Sequence, residues 1–315
     1  MSISHPEAPQ PQVTGHILMV RPARFGANPL TAASNAFQQS AEAAAEEAIA
    51  TAAQQEFDAF VALLRSKGVN VQVADDTPDP HTPDAVFPNN WVSFHADGRV
   101  VLYPMMAENR RLERRPDVVQ EVTRTWPHTR VVDLSPLEAQ GHFLEGTGSM
   151  VLDRTHRVAY ACRSPRTTAE GFAAFCTAMG YEGLLFDAAD AHGHAIYHAN
   201  VMMAIGEQVA VICLDSLPRP AERQQVADRL QATGHTLVDI SFEQMNSFAG
   251  NMLEVQGEGG KRFMVMSRRA FASLSPGQLA AIGTVAEPLV IPLDVIETYG
   301  GGSVRCMMAE VFSPK

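Results

Sequence analysis

Three residues in this chain carry side chains suited to covalent catalysis: Cys306, His198 and Glu145. A thiolate attacks an electrophilic carbon and needs a base or proton shuttle within reach. A carboxylate can orient that shuttle or a donor on the substrate. Cys306 follows Tyr299-Gly300-Gly301-Gly302-Ser303. Glycines there would let backbone N–H groups approach a substrate and stabilise a developing anion. The same run also reads as a flexible turn before a strand that carries an inert cysteine. Cys162 and Cys213 lie in apolar stretches, and Cys176 falls on a helical stretch beside Phe172 and Phe175, so these three read as core. His142, His192 and His194 accompany His198 without an established zinc spacing. Neither a metal nor an organic cofactor is expected. Taken alone, His198 reads more readily as a satisfied histidine at a strand entry.

What could bring three such distant residues together is a repeat. Five strand-like stretches begin at Asn90, Gly148, Asn200, Asn251 and Ser303, spaced 58, 52, 51 and 52 residues apart. A polar turn such as Ala96-Asp97-Gly98-Arg99 follows most of them, then a second apolar strand such as Val209-Ala210-Val211-Ile212-Cys213. Helical patterns come next, at 168–179 with Gly180 as a stop and at 220–232 with Gly234 as a stop. A third strand then closes each unit, as in Thr236-Leu237-Val238-Asp239-Ile240. The first copy is circularly offset. It supplies a strand at 16–20, an Ala-rich helix over 40–67 and a strand at 69–73, and the final copy closes with 304–311. Units of this length cannot bury a core alone and must stack. The expectation is an α/β fold of strand-strand-helix-strand units closed into a five-bladed propeller. An ordinary doubly wound sheet is the alternative, but hairpins inside each unit fit poorly with right-handed parallel crossovers. On this register Glu145 lies three residues before a repeat start, His198 two before and Cys306 three after, so all three fall near one end of a common axis.

The 315 residues, 46% of them apolar, suffice for a sizeable core. A net charge of −11 argues against a nucleic-acid partner. The one dense basic cluster, Arg110-Arg111-Leu112-Glu113-Arg114-Arg115, reads as a solvated surface segment or helix start. Four cysteines are too few for a disulfide scaffold, and no apolar run reaches the ~18 residues needed to cross a bilayer. With no basic and apolar leader visible, a soluble cytoplasmic protein with no membrane partner is expected. Residues 1–14, rich in Pro and Gln, are expected to be disordered, with a single catalytic domain over 15–315.

These motifs resemble the pentein superfamily of guanidine-modifying enzymes over about residues 16–312. A Gly-rich run leading to the nucleophile matches Cys306. The family histidine matches His198 in Tyr197-His198-Ala199-Asn200, and the family carboxylate matches Glu145 in Leu144-Glu145-Gly146-Thr147. Ser164-Pro165-Arg166-Thr167 resembles a motif whose arginine grips the substrate carboxylate. Segments 21–28, 35–38 and 248–251 resemble a branch of citrulline-utilisation hydrolases. The resemblance implies a five-bladed α/β propeller, with Asn90, Asn200, Arg166, Phe87 and Gly302 as the substrate-binding set.

Two positions depart from the deiminase pattern. Phe87-Pro88-Asn89-Asn90 and His198-Ala199-Asn200 carry asparagine where deiminases carry a guanidinium-binding aspartate. Aspartate only accepts hydrogen bonds, whereas an asparagine amide can donate to a carbonyl and accept from N–H. The change favours a neutral ureido group, hence citrulline hydrolysis to ornithine and carbamate. The asparagines also read as turn residues, since Asn251 holds the same repeat position. Arginine deiminase, dihydrolase or dimethylarginine-type hydrolysis, an amidinotransferase, and a non-catalytic binding propeller remain the rival readings. The expected partner is a small amino-acid substrate, and an exposed helix layer would suit a homodimer.

Overall fold

The computed structural model describes residues 10–39 and 45–314. Strand β1 (His16–Arg21) pairs in parallel with β2 (Asn70–Asp75) across the helix Glu46–Ser66. That helix buries Ile49, Ala53, Phe57, Phe60, Val61 and Leu64, a three-and-four spacing that makes one apolar stripe. Residues 40–44, included in the expected helix, lie outside the described residues.

The next strands come in threes. They are β3 (Val92–Phe94), β4 (Arg99–Leu102) and β5 (Arg130–Asp133), then β6 (Met150–Asp153), β7 (Val158–Cys162) and β8 (Glu182–Phe186). After them run β9 (Met203–Ile205), β10 (Val209–Ile212) and β11 (Thr236–Asp239), then β12 (Leu253–Gln256), β13 (Arg262–Ser267) and β14 (Glu287–Ile291). In each triplet the first two strands are an antiparallel hairpin and the third runs parallel to the second. A parallel return requires a crossover, and each is helical: Pro116–Thr123, Ala169–Met179, Pro220–Ala232, and the pair Arg268–Ser273 with Pro276–Gly283. The last strand, β15 (Ala309–Glu310), pairs antiparallel with β1, Ile17 opposite Glu310. Segments near both ends thus build one sheet, and the described residues form a mixed α/β fold of five three-stranded sheets.

Local chemistry explains the helix limits. Thr168 Oγ1 accepts from the Gly171 amide at the start of Ala169–Met179, and Gly180 ends it at φ 70°. The repeat starts differ from expectation. Residues 88–90, 146–149 and 199–202 are short helical turns, and 304–307, which includes Cys306, is a turn and no strand. Strands begin only after them. In apolar runs as short as Val201-Met202-Met203-Ala204, fully buried helix and strand share one residue pattern. The turn at 146–149 packs against those at 88–90 and 199–202, so the turns form a cluster of their own.

Residues 10–14, expected to be disordered with the rest of 1–14, are placed; residues 1–9 lie outside the described residues. Gln12 is buried. Its Nε2 donates to Leu152 O (2.9 Å) and Ile205 O (3.2 Å), and its Oε1 accepts from Arg154 N (2.7 Å). These bonds join the far ends of β6 and β9 and satisfy backbone groups that pairing leaves over. Among the described residues no helix is long and apolar enough to cross a membrane.

A buried charge cluster locks the closing sheet. Glu310 Oε2 lies 2.7 Å from Arg305 Nη2 and 3.4 Å from Arg154 Nη2, and Arg154 also stacks over the Phe312 ring at 4.4 Å. Glu310→Gln would leave two buried guanidinium groups facing a neutral side chain. A loss of roughly 3–5 kcal/mol of unfolding free energy is expected in urea denaturation.

Candidate active site

Glu145 has no exposed surface. Its Oε2 lies 2.9 Å from His198 Nε2 and 3.6 Å from both Arg110 Nη1 and Arg166 Nη1, and its Oε1 accepts from the Met106 amide at 3.2 Å. Burial by itself would raise the Glu145 pKa. Arg166, His198 and Arg110 together overcome it and bring it down to about 2. Burial acts the other way on His198, pulling it down to about 4 despite the partnership with Glu145. At neutral pH the pair is therefore a carboxylate and a neutral imidazole. An ionised carboxylate only accepts, so Nε2 carries the proton and Nδ1 is left as the acceptor. Gly148 makes room for this ring: a Cβ there would stand 2.7 Å from His198 Nδ1 and 2.3 Å from Asn90 Nδ2.

Cys306 sits in its turn with its amide donating to Ser303 O at 3.0 Å. Two side-chain amides point at its sulfur: Asn200 Nδ2 and Asn251 Nδ2, each 3.3 Å from Sγ. Cys306, His198, Asn90, Arg166, Phe87 and Gly302 line one cavity of about 10 Å³, together with Asp84 and Arg110. A Cβ on Gly302 would approach the Phe87 ring to 2.9 Å, so the chain reaches Cys306 under that ring only as glycine. The larger cavity, about 770 Å³, lies elsewhere, lined by residues such as Gln10, Gly68, His128 and Phe312, and holds none of these side chains.

The structure thus brings Cys306, His198, Glu145 and the expected binding residues to one place. Arg166 is buried; its Nε and Nη2 donate to Ser34 Oγ (3.0 and 2.8 Å), Nη2 reaches Thr31 O (3.1 Å), and its guanidinium stacks over Tyr197 at 4.9 Å. Asn90 Oδ1 accepts from Arg110 Nη1 at 2.8 Å, and Asn90 Nδ2 donates to Asn89 Oδ1 at 3.0 Å.

The basic cluster is corrected by this geometry. Arg110 is only 2% exposed and forms a bidentate pair with Glu113, both contacts at 2.9 Å, while also facing Asp84 and Glu145. The helix Glu108–Arg111 turns Arg110 inward, and Glu113, three residues on in the turn that follows the helix, reaches back to its guanidinium. That spacing was visible in the sequence; that the pair faces inward was not. Asp84 was also missed. Its Oδ2 accepts from Asn28 Nδ2 at 2.7 Å, while its buried Oδ1 has no hydrogen-bond partner among the described residues. Asn251 had a signal, its repeat position, but no sequence feature tied it to Cys306. Among the described residues no cluster of three or more His, Cys, Asp or Glu could hold a metal ion; His192 and His194 are exposed, and His194 bonds Asp190.

The fold has solved likenesses. The N-terminal domain of ArgZ, an arginine dihydrolase from the ornithine-ammonia cycle in cyanobacteria, superposes with a TM-score of 0.73 at 15% identity, covering 95% of this chain and 98% of that one. Unliganded AgrE gives 0.74 at 18% identity over 95% of this chain and 39% of that one. A dimethylarginine dimethylaminohydrolase in adduct with S-methyl-L-thiocitrulline gives 0.61 at 18% identity over 93% and 98%. No curated protein matches the sequence. The family model described as N,N dimethylarginine dimethylhydrolase, eukaryotic, matches residues 21–313. With nearly the whole chain matched, the protein belongs to the N,N-dimethylarginine dimethylhydrolase family of the guanidino-modifying pentein superfamily, hydrolases of carbon–nitrogen bonds.

Proposed function

We propose that this protein hydrolyses the ureido carbon of citrulline, giving ornithine and carbamate, which decays to carbon dioxide and ammonia. One observation carries the reading. The side chains that meet the Cys306 sulfur are the amides of Asn200 and Asn251, and the nearby carboxylate, Glu145, is already compensated by Arg110 and Arg166. A guanidinium entering here would meet neutral amides, whereas a ureido group can both donate to and accept from the Asn200 amide, whose Oδ1 has no partner among the described residues. We further propose that the five sheets are blades of one propeller and that the described chain is a single catalytic domain.

In this reading His198 Nδ1 takes the proton of the Cys306 thiol, and the thiolate attacks the ureido carbon and forms the C–S bond. His198 delivers a proton to the departing ornithine nitrogen as the C–N bond breaks. It then takes a proton from water, which attacks the S-carbamoyl group and releases carbamate and the thiol. Glu145 holds the imidazole through Nε2 and stabilises the imidazolium when it forms, leaving Nδ1 for proton transfer. Asp84 Oδ1, a buried acceptor without a partner, suits the ammonium of an amino acid, and Arg166 its carboxylate. The cavity of about 10 Å³ holds no more than about one water. Substrate entry therefore requires the lining to open, and the bonds from Arg166 to Ser34 and Thr31 are among those that hold it closed.

A second reading, arginine dihydrolysis, is favoured by the fold shared end to end with the ArgZ domain. It uses the same carbon and the same thiol twice. Incubation with citrulline, arginine and dimethylarginine, with ornithine and citrulline measured, separates the readings. Ornithine from citrulline and none from arginine is expected. Ornithine from arginine would support the dihydrolase, and citrulline accumulating from arginine without further loss would overturn both. Cys306→Ser is expected to lower kcat on the order of 10⁴-fold or more.

The buried histidine also makes a stability prediction. Unfolded histidine takes up a proton near pH 6.5, whereas His198 in the fold resists it down to about 4. Its contribution is thus fully present above pH 6.5 and is lost as pH falls towards 4, at up to about 1.4 kcal/mol per pH unit. Denaturation measured against His198→Asn should show the two stabilities converging over that window, and parallel curves would contradict it.

A further inference from the structure

Cys306 lacks the usual help for a nucleophilic thiol. Its histidine is neutral and tied to Glu145. The adjacent Arg305 sends its guanidinium away, to Met308 O (2.9 Å) and Glu310. What meets the sulfur is amide N–H, and the two amides are not equivalent. Asn251 is buried and fully engaged: Oδ1 accepts from the Arg305 amide at 3.0 Å, and Nδ2 donates to Asn200 O at 2.9 Å and to Cys306 Sγ at 3.3 Å. Turning this amide over would set its oxygen against the Asn200 carbonyl and its NH₂ against the Arg305 N–H. Both contacts would be repulsive, so the donor must face the sulfur. Asn200, by contrast, has a buried Oδ1 with no partner among the described residues, and its amide is oriented only by the sulfur.

We infer that Asn251 is a positioning residue that aims Cys306 Sγ and stabilises its thiolate in place of a cation. Resting on the reading of Cys306 as nucleophile, it goes beyond it by assigning the group that prepares the thiol. Hydrogen bonds to the anionic form favour that form. One bond of Asn251 fixes the backbone of the Cys306 turn, another fixes the Asn200 backbone, and the remaining N–H is thereby committed to sulfur. Asn200 keeps a free acceptor beside the nucleophile, available to a substrate N–H.

The test is the pH profile of iodoacetamide alkylation at Cys306, read by peptide mass spectrometry, for the wild type, Asn251→Asp and Asn251→Ala. Asn251→Asp keeps an acceptor for the Arg305 amide but sets a carboxylate oxygen against the Asn200 carbonyl and the sulfur, so the thiolate loses a donor and gains a like charge; Asn251→Ala removes the donor without adding charge and must move the midpoint the same way. The midpoint is expected to move up by about one pH unit, making alkylation at pH 7 about tenfold slower with an unchanged rate at high pH. kcat should fall at pH 7 and recover with rising pH while KM stays level. A profile identical to wild type would overturn the inference, as would a drop at every pH with no shift in midpoint, which marks a structural role only. If Asn251→Asp does not fold, Asn251→Ala carries the test: a midpoint shifted up supports donation to sulfur, and none refutes it. A wild-type Cys306 no more reactive than Cys176, with full activity in Cys306→Ser, would instead remove the nucleophile reading itself.

Discussion

A carboxylate with no exposed surface has to be paid for in cations and N–H donors, and Glu145 sets that demand at the centre of the site. Arg110 arrives from the helix after β4, Arg166 from the loop after β7, His198 from the turn before β9, and the Met106 amide from the chain between. Each cation brings further obligations. Arg110 requires Glu113 and Asp84, and Arg166 requires Ser34 and Thr31. Satisfying one buried charge thus recruits several sheets and the segment before the long N-terminal helix. The pairing keeps the carboxylate ionised, while burial keeps the imidazole neutral with Nδ1 as its acceptor.

The thiol lies outside this charge network. The site has a charged half, organised on Glu145, and a neutral half, in which Asn200 and Asn251 face sulfur. His198 joins the halves, since it bonds Glu145 and lines the cavity with Cys306. This division suits a neutral substrate head joined to a charged amino-acid end. A second cluster, Arg154, Arg305 and Glu310, ties the far end of β6 to the closing strand β15. Because Arg305 precedes Cys306, the pairing that closes the fold also anchors the turn that carries Cys306.

Chemical residue types and their spacing told most of what the sequence could tell. Cys306, His198 and Glu145 could be placed together because a repeat of about fifty residues put them at matching positions, and the hairpin-helix-strand order followed from apolar periodicity and glycine stops. Helices ended where Gly180 and Gly234 predicted, at Met179 and Ala232. The offset of the first copy was legible too, but the pairing of strand 16–20 with residues 309–310 near the other end of the chain came only from the fold.

Tertiary structure decided the rest, for physical reasons. Arg110 and Arg111 are adjacent and alike in sequence, yet one is buried and the other half-buried, because only the packing of a four-residue helix chooses which faces Glu145. Asn90, Asn200 and Asn251 occupy one repeat position but have three roles: Arg110 and Asn89 hold the first, sulfur alone orients the second, and three partners fix the third. An amide's orientation depends on what surrounds it, and those partners lie 20 to 106 residues away, save the adjacent Asn89. Sequence determined which groups are present and roughly where they recur; which way each one points was left to the fold.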